Sequence, residues 1–332
     1  MRAIQDAFPL LQSSKKIFIT THHKPDGDAI GSMLALYHYL VKKGHDVTAV
    51  SPSELPEFLM WMPGVNMLYN FEAESKVVLD ILAQSDVIFG LDFNDFSRTK
   101  HMTLQLANAR QPKIMLDHHL FPAPGWDYGM SIPEKSSTCE IIYDFINLCG
   151  DNSLIDQEIS ACLYTGVMTD TGSFRFPVTS AATHSMVADL KQKGLDHTHI
   201  HEEVYDSWSA ARMRFLGYVL MEKMEVFPQY NAGLITLSRK DMKGYDVQSG
   251  DTEGLVNYPL NIANIKFATL ITERPDEIKL SFRSKGDFDV SKFSREHFNG
   301  GGHFNASGGR SSETFIQTIT HFKKILSDIH PQ

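Results

Sequence analysis

The apolar run Ile17-Phe18-Ile19-Thr20 passes straight into Thr21-His22-His23-Lys24-Pro25-Asp26-Gly27-Asp28 and then into the helical pattern of residues 29–37. Its β-branched and aromatic residues mark a buried strand, and Pro25 and Gly27 shape the turn that follows. In open α/β sheets, ligands bind at the carboxyl ends of strands, which is where this turn lies. His22, Asp26 and Asp28 crowd an imidazole and two carboxylates into that turn, a set that resists desolvation unless a cation holds it together. Asp also caps helices, but a cap uses one carboxylate and leaves the others unexplained.

The same arrangement recurs along the chain. A strand at 86–92 ends in Asp92, and another at 112–116 runs into Asp117-His118-His119. With a strand at 46–51 and helices at 75–82 and 104–109, this alternation predicts a parallel sheet with right-handed crossovers and helices on its faces. Helical spacing returns over 136–149, 156–168 and 180–193, the last closed by Gly194 as a left-handed cap. Thr169-Asp170-Thr171-Gly172 then places Asp170 in a loop after a helix. Residues 205–224 read as one connecting helix. Beyond it, alternating strands at 232–237, 266–271 and 278–283 and a closing helix at 311–329 predict a smaller α/β domain. The Gly-rich stretch 299–309 reads as irregular.

A chain of 332 residues fits two such domains. Its formal charge of −9 argues against a long electrostatic track for duplex nucleic acid. No secretory leader and no apolar run of the ~20 residues a membrane span needs are read from the sequence. The three cysteines, Cys139, Cys149 and Cys162, lack C-x-x-C spacing and read as buried reduced thiols, so a cytoplasmic protein is expected.

His22, Asp26, Asp28, Asp92, Asp117, His118 and His119, with Asp170, form a set of hard oxygen ligands and imidazoles without a thiolate. That donor set suits Mn²⁺ or Mg²⁺ better than a structural Zn²⁺. Two such ions ~3.5–4 Å apart make a clamp for phosphoryl chemistry. A second stretch, His197-Thr198-His199-Ile200-His201-Glu202-Glu203, is a weaker metal candidate, because alternate residues point apart on a helix.

These residues carry a resemblance. His22-x-x-x-Asp26-Gly27-Asp28-x-x-Gly31-Ser32, Asp92, Asp117-His118-His119, Asp170 and Gly300-Gly301-Gly302-His303-x-x-Ala306-Ser307-Gly308-Gly309 resemble the DHH/DHHA1 phosphoesterase superfamily over nearly the whole chain. The branch is that of the nanoRNases and pAp phosphatases, often labelled exopolyphosphatase-related. The resemblance implies an α/β DHH domain over 1–194, a linker with the connecting helix over 195–224, and a DHHA1 domain over 225–332. It implies two Mn²⁺, with Mg²⁺ or Co²⁺ as substitutes: His22, Asp26 and Asp92 around one, and Asp28, Asp92, His118 and Asp170 around the other. His119 would lie over the scissile phosphate, Asp92 would bridge the ions, and Asp117 would orient an imidazole.

Substrate capture would fall to Arg98 and, in the second domain, to Arg283, Ser284, Gly301, Gly302, His303 and Ser307. The implied activity is hydrolysis of short RNA to 5′-mononucleotides and removal of the 3′-phosphate of pAp to give AMP, by a water activated between the two ions. No long duplex and no membrane enter as partners, and a homodimer is compatible. Competing readings are a cyclic or linear dinucleotide phosphodiesterase, an exopolyphosphatase, or a non-catalytic nucleotide sensor.

Overall fold

The computed structural model describes residues 1–248 and 250–328, which divide into two compact units at the boundary between Ser207 and Trp208. The first contains strands β1 (Arg2–Ala3), β2 (Lys16–Thr20), β3 (Asp46–Ser51), β4 (Tyr69–Asn70), β5 (Val87–Leu91), β6 (Lys113–Asp117) and β7 (Tyr128–Ser131). They pair in parallel in the order β1-β7-β6-β5-β2-β3-β4. From β2 the chain builds outward through β3 and β4, then returns to lay β5 on the other side of β2. The order therefore reverses between β2 and β5, the position at which open α/β sheets leave a crevice for ligands.

The helices of this unit are α1 (Gly27–Lys42), α2 (Phe71–Gln84), α3 (Thr103–Asn108), α4 (Thr138–Leu148), α5 (Gln157–Asp170), α6 (Ala181–Gln192) and α7 (His197–His201). Because strand side chains alternate, Ile17 and Ile19 of β2 face one way with Phe89 and Leu116, and pack on α1, α4 and α5. Phe18, Ile88 and Met115 face the other way, against Phe71, Val78 and Leu82 of α2 and Leu106 of α3. Helices thus cover both faces, as the sequence predicts.

Close packing of α1 on α5 depends on glycine. A Cβ at Gly31 would come within 2.6 Å of the Cys162 carbonyl, and one at Gly166 within 2.7 Å of Asp28 Oδ1. Gly166 and Asp170 are four residues apart on α5, so the face that approaches α1 closely also carries Asp170.

The second unit opens with α8 (Ala210–Tyr218). Its sheet contains β8 (Met224–Phe227), β9 (Ala232–Leu237), β10 (Phe267–Glu273), β11 (Ile278–Ser284), β12 (Gly301–His303) and β13 (Ala306–Ser311), in the order β12-β13-β11-β10-β9-β8. Only β9 and β10 run parallel among these pairs. Three more helices are α9 (Arg239–Gly244), α10 (Val290–His297) and α11 (Phe315–Asp328). Phe215 and Val219 pack on one face of the sheet against Ile235 and Leu270, while Phe293 and Phe322 pack on the other against Phe267 and Phe282.

Several expectations are corrected. Residues 205–224 are not one helix: a π-helical segment ends at Asp206, Ser209 caps α8, a second π segment spans Val219–Lys223, and Met224 begins β8. Ser209 supplies the break, since its hydroxyl accepts from the Arg212 amide as a helix start requires. The Gly-rich stretch forms the β12–β13 hairpin rather than irregular structure. Gly302 has φ +148°, and a Cβ there would lie 2.6 Å from the Ala306 carbonyl, so glycine lets the two strands close. Ser311 belongs to β13, so α11 starts four residues later than expected, and its expected end at Ile329 lies outside the described residues. Asp170 is the last residue of α5 and not part of a loop. Cys139 and Cys162 are buried thiols as expected, whereas Cys149, at the end of α4, is half-buried. Among the described residues no helix is long and apolar enough to cross a membrane.

Candidate metal centre

Strands β6, β5 and β2 are neighbours in one parallel sheet, so their carboxyl ends lie side by side. Each releases polar residues there: His22 two residues beyond β2, Asp92 directly after β5, and His118 and His119 directly after β6. The Thr21 hydroxyl donates to the Leu91 carbonyl at 2.9 Å, tying the ends of β2 and β5 together. Asp92 adopts φ +63°, a left-handed conformation that Asp tolerates better than most residues and that turns its carboxylate toward the site.

Asp92 lies between two groups of ligating atoms. Its Oδ2 is 3.4 Å from His22 Nε2, which is also 4.0 Å from Asp26 Oδ2. Its Oδ1 is 3.5 Å from His118 Nε2, which is also 3.9 Å from Asp28 Oδ2 and 3.4 Å from Asp170 Oδ2. His22, Asp26 and Asp92, like Asp28, Asp92 and His118, can bring ligand atoms within 4.8 Å of one another. Asp26 also caps α1, its Oδ1 accepting from the Asp28 and Ala29 amides at 3.1 Å. The capping oxygen and the one facing His22 are different atoms, so Asp26 serves both roles.

The environment fits a divalent cation. Burial, then the neighbouring Asp92 charge, pushes the Asp28 carboxyl up to about 7, even though the Cys139 amide donates to it. Asp28 is thus a buried carboxylate set among other acids, with the His118 imidazole 3.9 Å away as its nearest basic partner. Burial works against charging His118, but Asp170, Asp92 and Asp28 outweigh it and raise the imidazole to about 9. Cys139, beside Asp28, has its thiol raised by burial and by that carboxylate, which disfavours a competing thiolate. The donors are therefore carboxylates and imidazoles, the set that hard divalent ions take.

Orientation comes from the surrounding backbone. His118 Nδ1 is 3.3 Å from the Lys135 carbonyl, which leaves Nε2 toward the carboxylates. His119 Nδ1 is 2.7 Å from Asp117 Oδ1 and 3.6 Å from Asp92 Oδ1. Arg98 is half-buried, and its carbonyl accepts from the His23 amide at 2.8 Å, which places its backbone beside the β2 turn.

The remaining residues expected to capture substrate gather at one corner of the second unit's sheet. Arg283 pairs with Ala306 across β11 and β13, Ser284 ends β11, and Gly301, Gly302 and His303 form β12. The Ser284 hydroxyl donates to the Phe288 carbonyl at 2.6 Å and that of Ser307 to the Val290 carbonyl at 2.6 Å. Each hydroxyl thus has its one proton engaged within the fold.

The sequence reading missed Thr138. Its amide donates to Asp28 Oδ2 at 2.6 Å and its hydroxyl to Asp92 Oδ1 at 3.0 Å. Ser136-Ser137-Thr138 before an apolar helix was a capping signal, but nothing local says which carboxylates such a helix start will meet.

Comparison with known proteins agrees with this geometry. Residues 16–167 match the N-terminal domain of the DHH family and residues 232–329 match the DHHA1 domain. The crystal structure of an exopolyphosphatase-related protein from Bacteroides fragilis has a TM-score of 0.92 and 38% identity, covering 97% of this chain and 95% of that one. The bifunctional oligoribonuclease and PAP phosphatase NrnA of Thermus thermophilus is 27% identical over 88% of this chain and 83% of its own. Its namesake from Mycoplasma genitalium is 26% identical over 98% and 95%. Fold and site together define a divalent-metal-dependent phosphoric ester hydrolase. The chain belongs to the DHH phosphoesterase family, with DHHA1 as its second domain.

Proposed function

We propose that the protein uses Mn²⁺ to release 5′-mononucleotides from very short oligoribonucleotides and to remove the 3′-phosphate of pAp, giving AMP. The observation that carries this reading is the placement of Asp92, one oxygen toward His22 and Asp26 and the other toward His118, Asp28 and Asp170. A carboxylate shared between two ligand groups would suit a pair of ions. The names borne by the relatives from T. thermophilus and M. genitalium support the choice of substrates.

His22, Asp26 and Asp92 would hold one ion, and Asp28, Asp92, His118 and Asp170 the other. When bound, such ions supply Lewis acidity toward phosphate oxygens and lower the pKa of water. The side chains do the rest. With Nδ1 held by Asp117, His119 is oriented to steady the scissile phosphate or to protonate the leaving oxygen. Arg98 adds a guanidinium for a phosphate oxygen. In the second unit, Arg283, His303 and the backbone of Gly301 and Gly302 would capture the substrate, while Ser284 and Ser307 hold that corner in shape. A chain of net charge −9, without a basic track, suits substrates of a few nucleotides in the cytoplasm.

The test is incubation of the pure protein with Mn²⁺ and either pAp or a diribonucleotide, followed by separation of products. AMP from pAp and mononucleotides from the dinucleotide are expected. Absence of both rejects the reading, and orthophosphate released from long polyphosphate instead would make the protein an exopolyphosphatase.

A further inference from the structure

We infer that Thr138 is a positioning residue that fixes the two buried carboxylates, Asp28 and Asp92, in the geometry a pair of ions needs. The inference rests on the metal-dependent reading above. Thr138 is fully buried and is the first residue of α4, so its amide has no carbonyl of its own helix to bond. That amide donates instead to Asp28 Oδ2, on α1. Its hydroxyl donates to Asp92 Oδ1 at 3.0 Å, nearer than the 3.5 Å to His118 or the 3.6 Å to His119. One residue thus joins carboxylates carried by two other elements.

The start of α4 is itself firmly placed. The Ser137 hydroxyl accepts from the Glu140 amide at 3.1 Å. The carboxylate of Glu140, only 2% exposed, accepts from the Ser136 amide, the Ser136 hydroxyl and Lys135 Nζ, at 2.6–3.0 Å. The Lys135 carbonyl of the same turn faces His118 Nδ1. Thr138 therefore presents its hydroxyl from a rigid frame, and Asp92, which would serve both ions, is oriented by it. Removing the hydroxyl leaves the amide bond to Asp28 in place, so the bond to Asp92 can be tested by itself.

The experiment measures Mn²⁺ affinity and stoichiometry of the metal-stripped full chain by calorimetry and by the electron paramagnetic resonance of unbound Mn²⁺, for wild type, Thr138→Val and Thr138→Ser. Loss of an outer partner of a metal ligand lowers affinity by about 10–100-fold, so Thr138→Val should bind at least about tenfold more weakly, and Thr138→Ser, which keeps the hydroxyl, should stay within about threefold of wild type. Circular dichroism and thermal unfolding check the fold. If Thr138→Val does not fold, Thr138→Ala, smaller and equally without a hydroxyl, carries the same comparison. Wild-type affinity in the Val or Ala variant, or a Ser variant as weak as they are, overturns the positioning role alone. A wild-type chain that binds no divalent ion overturns the metal-dependent reading and this inference with it.

Discussion

Nδ1 of His119 lies 2.7 Å from Oδ1 of Asp117, a carboxylate that is fully buried at the end of β6 and whose Oδ2 has no hydrogen-bond partner among the described residues. The pairing directs the Nδ1 proton to Asp117 and reserves Nε2 for proton exchange. Asp117→Asn keeps the size of the side chain but lets an amide N–H₂ face Nδ1, which favours the opposite tautomer. Because positioned acid–base groups contribute about 10²–10⁴-fold, kcat on pAp should fall by that order. Mn²⁺ affinity should stay close to wild type, since Asp117 is not placed among the proposed ligands. Steady-state kinetics alongside calorimetric titration check both halves, and an unchanged kcat refutes the orienting role.

Two glycines make opposite predictions. At Gly166 a Cβ would press on Cys139 Sγ and lie 2.7 Å from Asp28 Oδ1, whereas at Gly217 it meets nothing within 4 Å among the described residues. Overpacking costs about 1–3 kcal/mol, so Gly166→Ala should destabilise the chain by that amount and weaken Mn²⁺ binding by displacing Asp28. Gly217→Ala lies inside α8 and should be neutral or stabilising by up to about 1 kcal/mol. Urea unfolding of the two variants distinguishes them, and equal midpoints would show that α1 and α5 do not depend on that close approach.

The first unit was legible because its signals are local. Ile17-Phe18-Ile19-Thr20 is strand-like, and its polar turn follows at once. Acids at 92 and 117 announce the same sheet edge. What brings those ends together is the reversal of strand order between β2 and β5, which pattern alone could not show but which the parallel-sheet rule made the expected outcome. Thr138 was hidden because its partners, Asp28 and Asp92, are 110 and 46 residues away. The β12–β13 hairpin was misread for a related reason. Glycine there serves close strand approach, and composition cannot separate that from loop freedom. Likewise Ser209 is a local cap inside what otherwise reads as one apolar helical period over 205–224.

Asp26 offers a way to count ions. Its Oδ1 caps α1 while its Oδ2 faces His22, and Asn caps helices as well as Asp does. Asp26→Asn should therefore keep its stability within about 0.5 kcal/mol of wild type, the range of a retained cap. Mn²⁺ stoichiometry should fall from two per chain to one. Asp92→Asn, which touches both groups, should abolish tight binding of either ion. Equilibrium dialysis with atomic absorption gives the counts, and a stoichiometry of two in both variants would refute the shared-carboxylate arrangement.

Metal removal should be visible in stability as well as in activity. An ion that binds only the folded chain stabilises it by mass action, about 2.7 kcal/mol at a hundred times its Kd. Adding Mn²⁺ to chelator-treated protein should therefore raise the unfolding midpoint in a concentration-dependent way, and the Asp92→Asn variant should not respond. Differential scanning fluorimetry over a Mn²⁺ series provides the reading. A flat response in the wild-type chain would contradict the site.

Acid sensitivity of the second unit should centre on Asp241. Burial alone would raise its carboxyl, but Lys223, Ser238 and Tyr218 overcome this and hold it below the usual carboxylate range. Lys223 Nζ is 2.8 Å from Oδ1, and the Ser238 amide and hydroxyl reach Oδ2 at 2.9 and 2.6 Å, closing a capping box at the start of α9. A carboxyl whose folded pKa is depressed stabilises the fold above its unfolded pKa of about 3.9 and loses that contribution as pH falls toward the folded value. Asp241→Asn should therefore cost about 1–2 kcal/mol at pH 7, the scale of a hydrogen-bonded charged group and a helix cap. The gap between variant and wild type should narrow as pH drops below about 4. Urea unfolding of both chains from pH 7 down to pH 3, followed by a probe of the second unit such as the fluorescence of Trp208, tests the sign. A gap that widens on acidification would show that Asp241 is not the acid-labile group of this unit.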